Sequence, residues 1–401
     1  MIRKSLVPLL LALGLGSTAT AYAGDDHRHG HDRLELPRYQ VDPWWPKPLP
    51  NRWVTGAVGG ICIDPYNDHV FGINRSDPTA LETTVGKKPA PPVIEYDPEG
   101  NLVKAWGDPA VMPGGIHGCF IDHERNLWIG GTGGGMVQKW SQDGKLLLQI
   151  GQRNSCDGPC GELTSLNSST TVLNQPADIA VDPLNGDVYI ADGYGNHRVV
   201  VFNRNGQYLR QWGSAGTAPG QFSLQGGGHP HCVVFSKEGL LYVCDRGNDR
   251  IQVFTKQGQL VEIISLKPGT GRIPGPYGNQ PGGTPRNSPG SALDVDFSAD
   301  RRQEYLLNVD TGNEVLWILD RGMGRGDTPE ILGGFGSAGH NAGNFTLLHM
   351  IAVDSKGNLY TSETVDGRRL QKFVPKGNIS TRKLDTYLDS PHYEPFPDPT
   401  P

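Results

Sequence analysis

The 401-residue sequence has few charged side chains and no basic surplus, and both features restrict its function. Charged residues make up 19% of the chain and the formal net charge is −6, whereas nucleic-acid-binding proteins usually carry a basic stripe. Disorder also fits poorly, because it requires low hydrophobicity together with high net charge. Long helical periodicity is lacking, and no stretch after the N-terminus is long and apolar enough for a membrane helix. We therefore expect neither a nucleic-acid partner nor a membrane span in the mature protein.

The N-terminus has the three parts of a secretory signal peptide. MIRKS is positively charged, LVPLLLALGLG is apolar but too short to span a bilayer, and AYA, which ends at Ala23, fits a cleavage site. We predict a signal peptide at residues 1–23 and a secreted or periplasmic mature protein. Residues 24–50 would form a His-rich head followed by an extended Trp/Pro segment.

All six cysteines follow the predicted signal peptide, as expected for an oxidising compartment. Two pairs are candidates for disulfides. Cys156–Cys160 flank a DGP turn, and Cys232–Cys244 lie at equal distances from the centre of a predicted hairpin. Cys62 and Cys119 are expected to be buried free thiols, a common fate for cysteine.

A unit of short apolar strands recurs six times along the chain. Each unit has an apolar strand that ends in Asp or Ser, a turn with Gly or Asn, and a second strand, as in ADIAVDPLNGDVYIADGYGNHRVVVF. The units repeat at intervals of about 60 residues, and such a period of short strands is typical of a propeller. We predict an all-β fold, a six-bladed β-propeller over residues 51–377, with a Pro-rich tail at 378–401. The Gly/Pro-rich stretch 266–290 is an insertion or a lid.

One position of the repeat alternates around the predicted ring. Blades two, four and six carry His117, His231 and His349 there, whereas the other blades carry glycine, alanine and leucine. Alternate blades are a third of a turn apart, so three imidazoles at one depth in the channel can converge. Three histidines with an open fourth position suit Zn²⁺, and other first-row metals are possible. Any one of these histidines, considered alone, would be interpreted as a structural residue at the end of a strand. The three together occupy the same repeat position in alternate blades, which favours a metal site.

Polar residues at the ends of second strands are expected at the same rim of the ring. Arg75, Tyr194 and Arg246 depart from the repeat, and they are candidates for function as well as for structure. Four other residues recur between blades or resemble turn formers, and we interpret them as structural: Arg198, Arg250, Asp192 and Asp245.

These repeats resemble a known family. DGYGNHRVVVFNRNGQYLRQWG, PGQFSLQGGGHPHCVVF and DRGNDRIQVF look like NHL-type repeats and, more closely, like the peptidyl-α-hydroxyglycine α-amidating lyases, the lyase domain of peptidylglycine α-amidating enzymes. The resemblance covers roughly residues 51–377 and is most specific from Gln175 to Phe254. It implies a six-bladed propeller that holds Zn²⁺ through the same three histidines.

The resemblance also implies roles for three further residues. Arg75 in GINR and Arg246 in CDRG match active-site arginines, which would hold a substrate carboxylate, and Tyr194 in DGYGNHR matches the residue held to be the base. The reaction would cleave a peptidyl-α-hydroxyglycine-like carbinolamide, a small molecule or a peptide, into an amide and glyoxylate. The structural Ca²⁺ of the family is doubtful here, because Met350 replaces the Asp after the third histidine. The disulfides of the family are not matched either, since Gly195 stands where it has Cys.

Two other classes of function remain open from the sequence. Propeller hydrolases and lactonases also use a divalent metal, but with carboxylate and Asn ligands, which the three histidines argue against. A non-enzymatic propeller would bind protein or glycan on its rim, with a purely structural metal. In that class Tyr194 and Arg75 would be dispensable. The sequence leaves the oligomeric state open.

Overall fold

The computed structural model of the chain describes residues 35–224, 227–266, 290–322 and 329–376. The predicted signal peptide, the C-terminal tail at 378–401 and nearly all of the stretch 266–290 lie outside the described residues. No helix within those ranges has the length and apolar character needed to cross a bilayer.

The secondary structure of the described residues is almost entirely β. One short α-helix, α1 (Ala80–Thr84), and one 3₁₀ turn, Arg246–Asn248, accompany the strands. The strands, in chain order, are β1 (Arg38–Asp42), β2 (Trp53–Val54), β3 (Val58–Ile63), β4 (Val70–Asn74), β5 (Lys88–Pro89), β6 (Val93–Tyr96), β7 (Leu102–Trp106), β8 (Ile116–Ile121), β9 (Leu127–Gly131), β10 (Gly135–Trp140), β11 (Leu146–Gln152), β12 (Asp178–Val181), β13 (Val188–Asp192), β14 (Arg198–Phe202), β15 (Tyr208–Trp212), β16 (Val233–Phe235), β17 (Leu241–Asp245), β18 (Arg250–Phe254), β19 (Leu260–Ser265), β20 (Asp294–Phe297), β21 (Tyr305–Asp310), β22 (Val315–Asp320), β23 (Glu330–Phe335), β24 (Leu348–Val353), β25 (Leu359–Glu363) and β26 (Arg369–Lys376).

Within the described ranges, these strands form six antiparallel four-stranded sheets, which confirms the predicted six-bladed β-propeller. From the channel outward the blades are β3-β4-β6-β7, β8-β9-β10-β11, β12 to β15, β16 to β19, β20 to β23, and β24-β25-β26-β1. Strands β2 and β5 form a separate short parallel pair. Neighbouring inner strands pack against each other, for example β3 against β8 and β12 against β16.

The burial of each strand follows its place in the blade. The second strand of blade 3, β13, is buried at every residue because neighbouring blades cover both of its faces. The outermost strand β15 is partly exposed. The apolar core therefore lies between blades, where for example Trp128 of blade 2 packs with Val188 and Ile190 of blade 3.

The Asp that ends most inner strands forms a turn. The carboxylate of Asp182 accepts a hydrogen bond from the backbone N–H of Leu184 at 3.0 Å, and Asp354 accepts one from Lys356 at 2.9 Å. A short acidic side chain that bonds the backbone two residues ahead stabilises a tight turn. This local chemistry explains why the residue recurs at one phase of the repeat.

The ring is closed by a strand from the N-terminal side. Strand β1 pairs antiparallel with β26, so Arg38 lies opposite Lys376 and Asp42 opposite Lys372. This stretch belongs to the segment 24–50 that was expected to precede the propeller, but the structure adds β1 to the last blade. Closure of this kind ties the two ends of the propeller together, with β1 as the outermost strand of the last blade.

All six cysteines are paired in the structure. Cys156–Cys160 and Cys232–Cys244 form disulfides, which confirms both predicted pairs. The prediction that Cys62 and Cys119 are free thiols is wrong, because they form a third disulfide with their Cα atoms 5.9 Å apart. The inner strands β3 and β8 lie side by side and bring these two residues together. The three disulfides fit an oxidising, secreted or lumenal compartment.

Candidate metal centre

Three buried histidines converge inside the channel. His117 lies on β8, His349 lies on β24, and His231 lies just before β16. Their side chains offer ligand atoms that all lie within 4.8 Å of one another, and each residue is at most 4% exposed. The structure therefore confirms that these three histidines form a group that can hold one metal ion.

The orientation of two of the imidazoles is set by a backbone carbonyl of the next blade. His117 Nδ1 lies 2.8 Å from the carbonyl oxygen of Ala177, and His231 Nδ1 lies 2.8 Å from that of Leu293. A carbonyl only accepts, so Nδ1 carries the proton and Nε2 presents a lone pair to the centre. The backbone of Gly59 favours the protonated form of His349, and Nδ1 of this histidine is buried without a hydrogen-bond partner.

The surroundings keep the three imidazoles neutral. Burial, with a contribution from the Arg75 charge, lowers the pKa of His117 to about 3. Burial also holds the pKa of His231 and of His349 well below the usual range, and the neighbouring histidines add to the effect. Neutral imidazole is the form that binds a metal, so the three side chains are in the state that ligation requires.

Tyr194 lies at the point where the histidines converge. Its hydroxyl oxygen is 3.0 Å from His117 Nε2 and 3.1 Å from His231 Nε2. Both nitrogens present lone pairs, but one hydroxyl proton can satisfy only one of them. A cation at this point would accept both lone pairs at once. The donor set thus fits a metal ion, and three imidazoles with one open position are a common zinc arrangement.

Two arginines lie beside the histidines. Arg75 Nε donates to the carbonyl oxygen of Ile116 at 3.3 Å, directly before His117 in the chain. Arg246 donates from Nη1 to the carbonyl of Gly227. Burial lowers the pKa of Arg246, while its hydrogen bond and charge interaction with Tyr194 favour the charged form. Both guanidinium groups place positive charge next to the metal position.

The structure thus brings together all six residues selected from the sequence. The two recurring arginines, which we interpreted as structural, pair with carboxylates of their own blades. Arg198 is completely buried and bonds Asp192 at 2.9 Å, and Arg250 bonds Asp245 at 2.7 Å. These ion pairs connect strands within their own blades.

Met350 lies against apolar residues of blades 1 and 6, including Val58 and Ile61. Its side chain therefore brings no oxygen ligand to the position that would hold Ca²⁺, a cation that takes oxygen ligands. The two carbonyls that orient His117 and His231 were not predicted from the sequence. The residues that supply them, Ala177 and Leu293, occupy the same repeat position as the histidines, and this common phase was the available signal.

Comparison with known proteins agrees with the fold and the repeat. A family model described as NHL repeat matches residues 173–202 and 228–254. The chain is thus a six-bladed β-propeller in which these two stretches match the NHL repeat. The NHL repeat-containing protein 3 of Homo sapiens is 30% identical over 230 residues, which cover 56% of this chain and 58% of that protein.

The propeller also resembles amidating enzymes. The peptidyl-glycine alpha-amidating monooxygenase B of Xenopus laevis is 30% identical over 227 residues, covering 52% of this chain and 24% of that protein. A probable peptidyl-alpha-hydroxyglycine alpha-amidating lyase of Caenorhabditis elegans is 24% identical over 338 residues, covering 79% of this chain and 82% of that protein. The matched part of the chain thus covers about a quarter of the length of the first of these two relatives and about four-fifths of the length of the second.

Proposed function

We propose that the protein is a secreted, zinc-dependent lyase that cleaves a peptidyl-α-hydroxyglycine-like carbinolamide into an amide and glyoxylate. The observation that carries the proposal is the grouping of three neutral histidines, one tyrosine and two arginines at one end of the channel. The resemblance to amidating lyases supports the choice of substrate class.

The arginines suit the negative end of this substrate. The carbinolamide, R–CO–NH–CH(OH)–COO⁻, carries a carboxylate next to the carbon whose bond to nitrogen breaks. Arg75 and Arg246 flank the histidines, and a guanidinium group binds a carboxylate through two parallel hydrogen bonds. Held in this way, the substrate would direct its hydroxyl group toward the metal position and Tyr194.

Tyr194 would move the proton. As a phenolate, it would take the proton of the substrate hydroxyl. The C–O bond would become the carbonyl of glyoxylate, and the electrons of the C–N bond would pass to the amide nitrogen. The proton would then be delivered to that nitrogen to complete the amide. The negative charge that the phenolate carries before it takes the proton, and again after it delivers it, would be paired with Arg246, which contacts Tyr194.

His117, His231 and His349 would hold the Zn²⁺. A zinc ion bound there supplies Lewis acidity, which stabilises negative charge on a substrate oxygen. The carbonyls of Ala177 and Leu293 would keep the Nε2 lone pairs of His117 and His231 directed at that position.

The first experiment is a metal analysis of the untagged mature protein, combined with an assay of glyoxylate release from α-hydroxyhippurate. About one zinc per chain with release of glyoxylate is the expected result. One metal without release would keep the site and refute this reaction. A protein without bound metal would favour a non-enzymatic binding propeller.

A further inference from the structure

Two of the three disulfides lie next to residues of the metal centre. Cys119 follows His117 by two residues on β8, and Cys232 directly follows His231. The third disulfide, Cys156–Cys160, closes a short loop between blades 2 and 3 and joins no strand that carries one of the histidines. Covalent cross-links are therefore concentrated where two of the histidines are held.

The inner strands of blades 1 and 2 meet at glycines. A Cβ atom at Gly59 would lie 2.2 Å from the carbonyl oxygen of Ile116, and one at Gly60 would lie 2.3 Å from that of His117. Backbone thus packs directly on backbone, and at these two positions β3 has no side chain to interlock with β8. The Cys62–Cys119 disulfide supplies a covalent connection at this junction.

At two other junctions between neighbouring blades, a carboxylate rather than a disulfide connects the inner strands. Asp178 accepts a hydrogen bond from the backbone N–H of Val233 at 3.0 Å, which connects blades 3 and 4. Asp294 accepts one from Ile351 at 2.9 Å, which connects blades 5 and 6. The corresponding position of blade 1 is Gly60, which has no carboxylate to offer. The disulfide therefore takes the place of the carboxylate bridge.

The second disulfide joins two parts of the site within blade 4. Cys232 follows His231, and Cys244 precedes Arg246 by two residues. The N–H of His231 donates to the carbonyl of Cys244 at 2.9 Å, and the N–H of Cys244 donates to that of Cys232 at 3.2 Å. This cross-link keeps a histidine and an arginine of the site in one register.

We propose that Cys62–Cys119 and Cys232–Cys244 are positioning groups of the metal centre, so that metal affinity depends on their oxidised state. The inference rests on the metal site of the proposed function but not on the lyase reaction. Loss of the first disulfide would free the strand of His117 from β3, whose Gly59 carbonyl faces His349. Loss of the second would free His231 from the strand that leads to Arg246.

One of the two disulfides is within reach of a small reductant. Cys62 and Cys119 line a cavity of about 200 Å³ whose lining includes none of the three histidines, whereas Cys232 and Cys244 are fully buried. A trialkylphosphine and one water would reduce a disulfide to two thiols, the sulfur atoms gaining two electrons and two protons and the phosphine becoming its oxide. We expect Cys62–Cys119 to be reduced first.

The test compares three double variants of the full mature protein loaded with Co²⁺. Cys62→Ala/Cys119→Ala and Cys232→Ala/Cys244→Ala each remove one proposed positioning group, and Cys156→Ala/Cys160→Ala is the matched control. The readouts are the rate of metal transfer to a chelator and the visible spectrum of bound Co²⁺, which reports ligand geometry. Far-UV circular dichroism monitors the propeller in every sample.

The two positioning variants should release metal at least about tenfold faster than the wild type and show a changed Co²⁺ spectrum, because loss of groups that orient ligands typically weakens binding by this factor or more. The control should match the wild type in both readouts. Folded positioning variants with wild-type release rates and spectra would overturn the inference.

If a positioning variant does not fold, the phosphine-treated wild type replaces it. Metal release should then rise as the first two thiols appear in a thiol assay, and reoxidation should restore slow release; release independent of thiol count would overturn the inference. None of these readouts needs substrate. A wild type that binds Co²⁺ but releases no glyoxylate would therefore refute the lyase reaction alone, whereas one that binds no metal would refute both.

Discussion

His117 Nδ1 lies 2.8 Å from the carbonyl oxygen of Ala177, the residue that occupies the same repeat position in the next blade. The same relationship joins His231 to Leu293. One position of the repeat therefore supplies both the side chains that can hold a metal and the backbone groups that orient them. Histidine alternates with glycine, alanine or leucine at this position. The residues without an imidazole supply the carbonyl groups, and their side chains leave the centre of the channel to the three histidines.

Replacing His231 with Ala should abolish stoichiometric metal binding, because the two remaining imidazoles leave the ion with too few protein ligands. The blade itself should persist, so the far-UV circular dichroism spectrum, which depends on the strands, should stay unchanged. Metal analysis of the purified variant is the measurement. His340→Ala, which changes an exposed histidine, is the control and should keep its metal. One metal per chain in the His231 variant would rule out the three-histidine site.

Replacing Tyr194 with Phe should leave the metal content unchanged but reduce glyoxylate release by roughly 10²–10⁴-fold, the range usual for loss of a general base. The hydroxyl is the only atom removed, and it lies between His117 and His231. Steady-state rates with α-hydroxyhippurate give the answer. Tyr208→Phe, on the outermost strand of blade 3, should behave as the wild type. An undiminished rate would remove Tyr194 from the mechanism.

The disulfides should contribute unequally to the free energy of unfolding. Cys62–Cys119 spans 57 residues and Cys156–Cys160 spans 4, so the chain-entropy argument gives the first roughly 4 kcal/mol and the second about 2 kcal/mol. Urea unfolding of the two double alanine variants should show this order. Equal losses, or a larger loss for the short loop, would contradict it.

Two buried carboxyl groups in the channel should make stability depend on pH. Burial raises the pKa of Asp178 to about 7, and burial together with the Asp178 charge raises that of Asp294 well above its ordinary value of 3.8. Protons therefore bind more tightly to the folded state. The resulting stabilisation is complete below pH 3.8 and is lost as the pH rises through about 7.

Asp294→Asn removes one of these carboxyl groups and the charge repulsion on the other. The variant should therefore gain stability relative to the wild type between about pH 4 and pH 8, as measured by urea unfolding across that range. Asp143→Asn is the control, because its exposed carboxylate pairs with Lys104 and has a lowered pKa. A constant difference between Asp294→Asn and wild type across the range would contradict the assignment.

The repeat and the phase of the histidines could be read from the sequence because both depend on local periodicity. Strand, turn and strand-ending Asp recur within short segments, so the number of blades and the convergence of His117, His231 and His349 follow from counting. The selection of Arg75, Tyr194 and Arg246 needed the family resemblance as well, since the repeat alone left each between structure and function.

The chain by itself thus determined the all-β propeller and which of its side chains meet in the channel. Only the tertiary structure decided how they are held. The pairing of Cys62 with Cys119, the closure of the ring by β1, and the carbonyls behind the imidazoles each join residues from different blades or from opposite ends of the propeller. Such contacts depend on the distance between neighbouring strands in the closed ring, and no period in a single sequence encodes that distance.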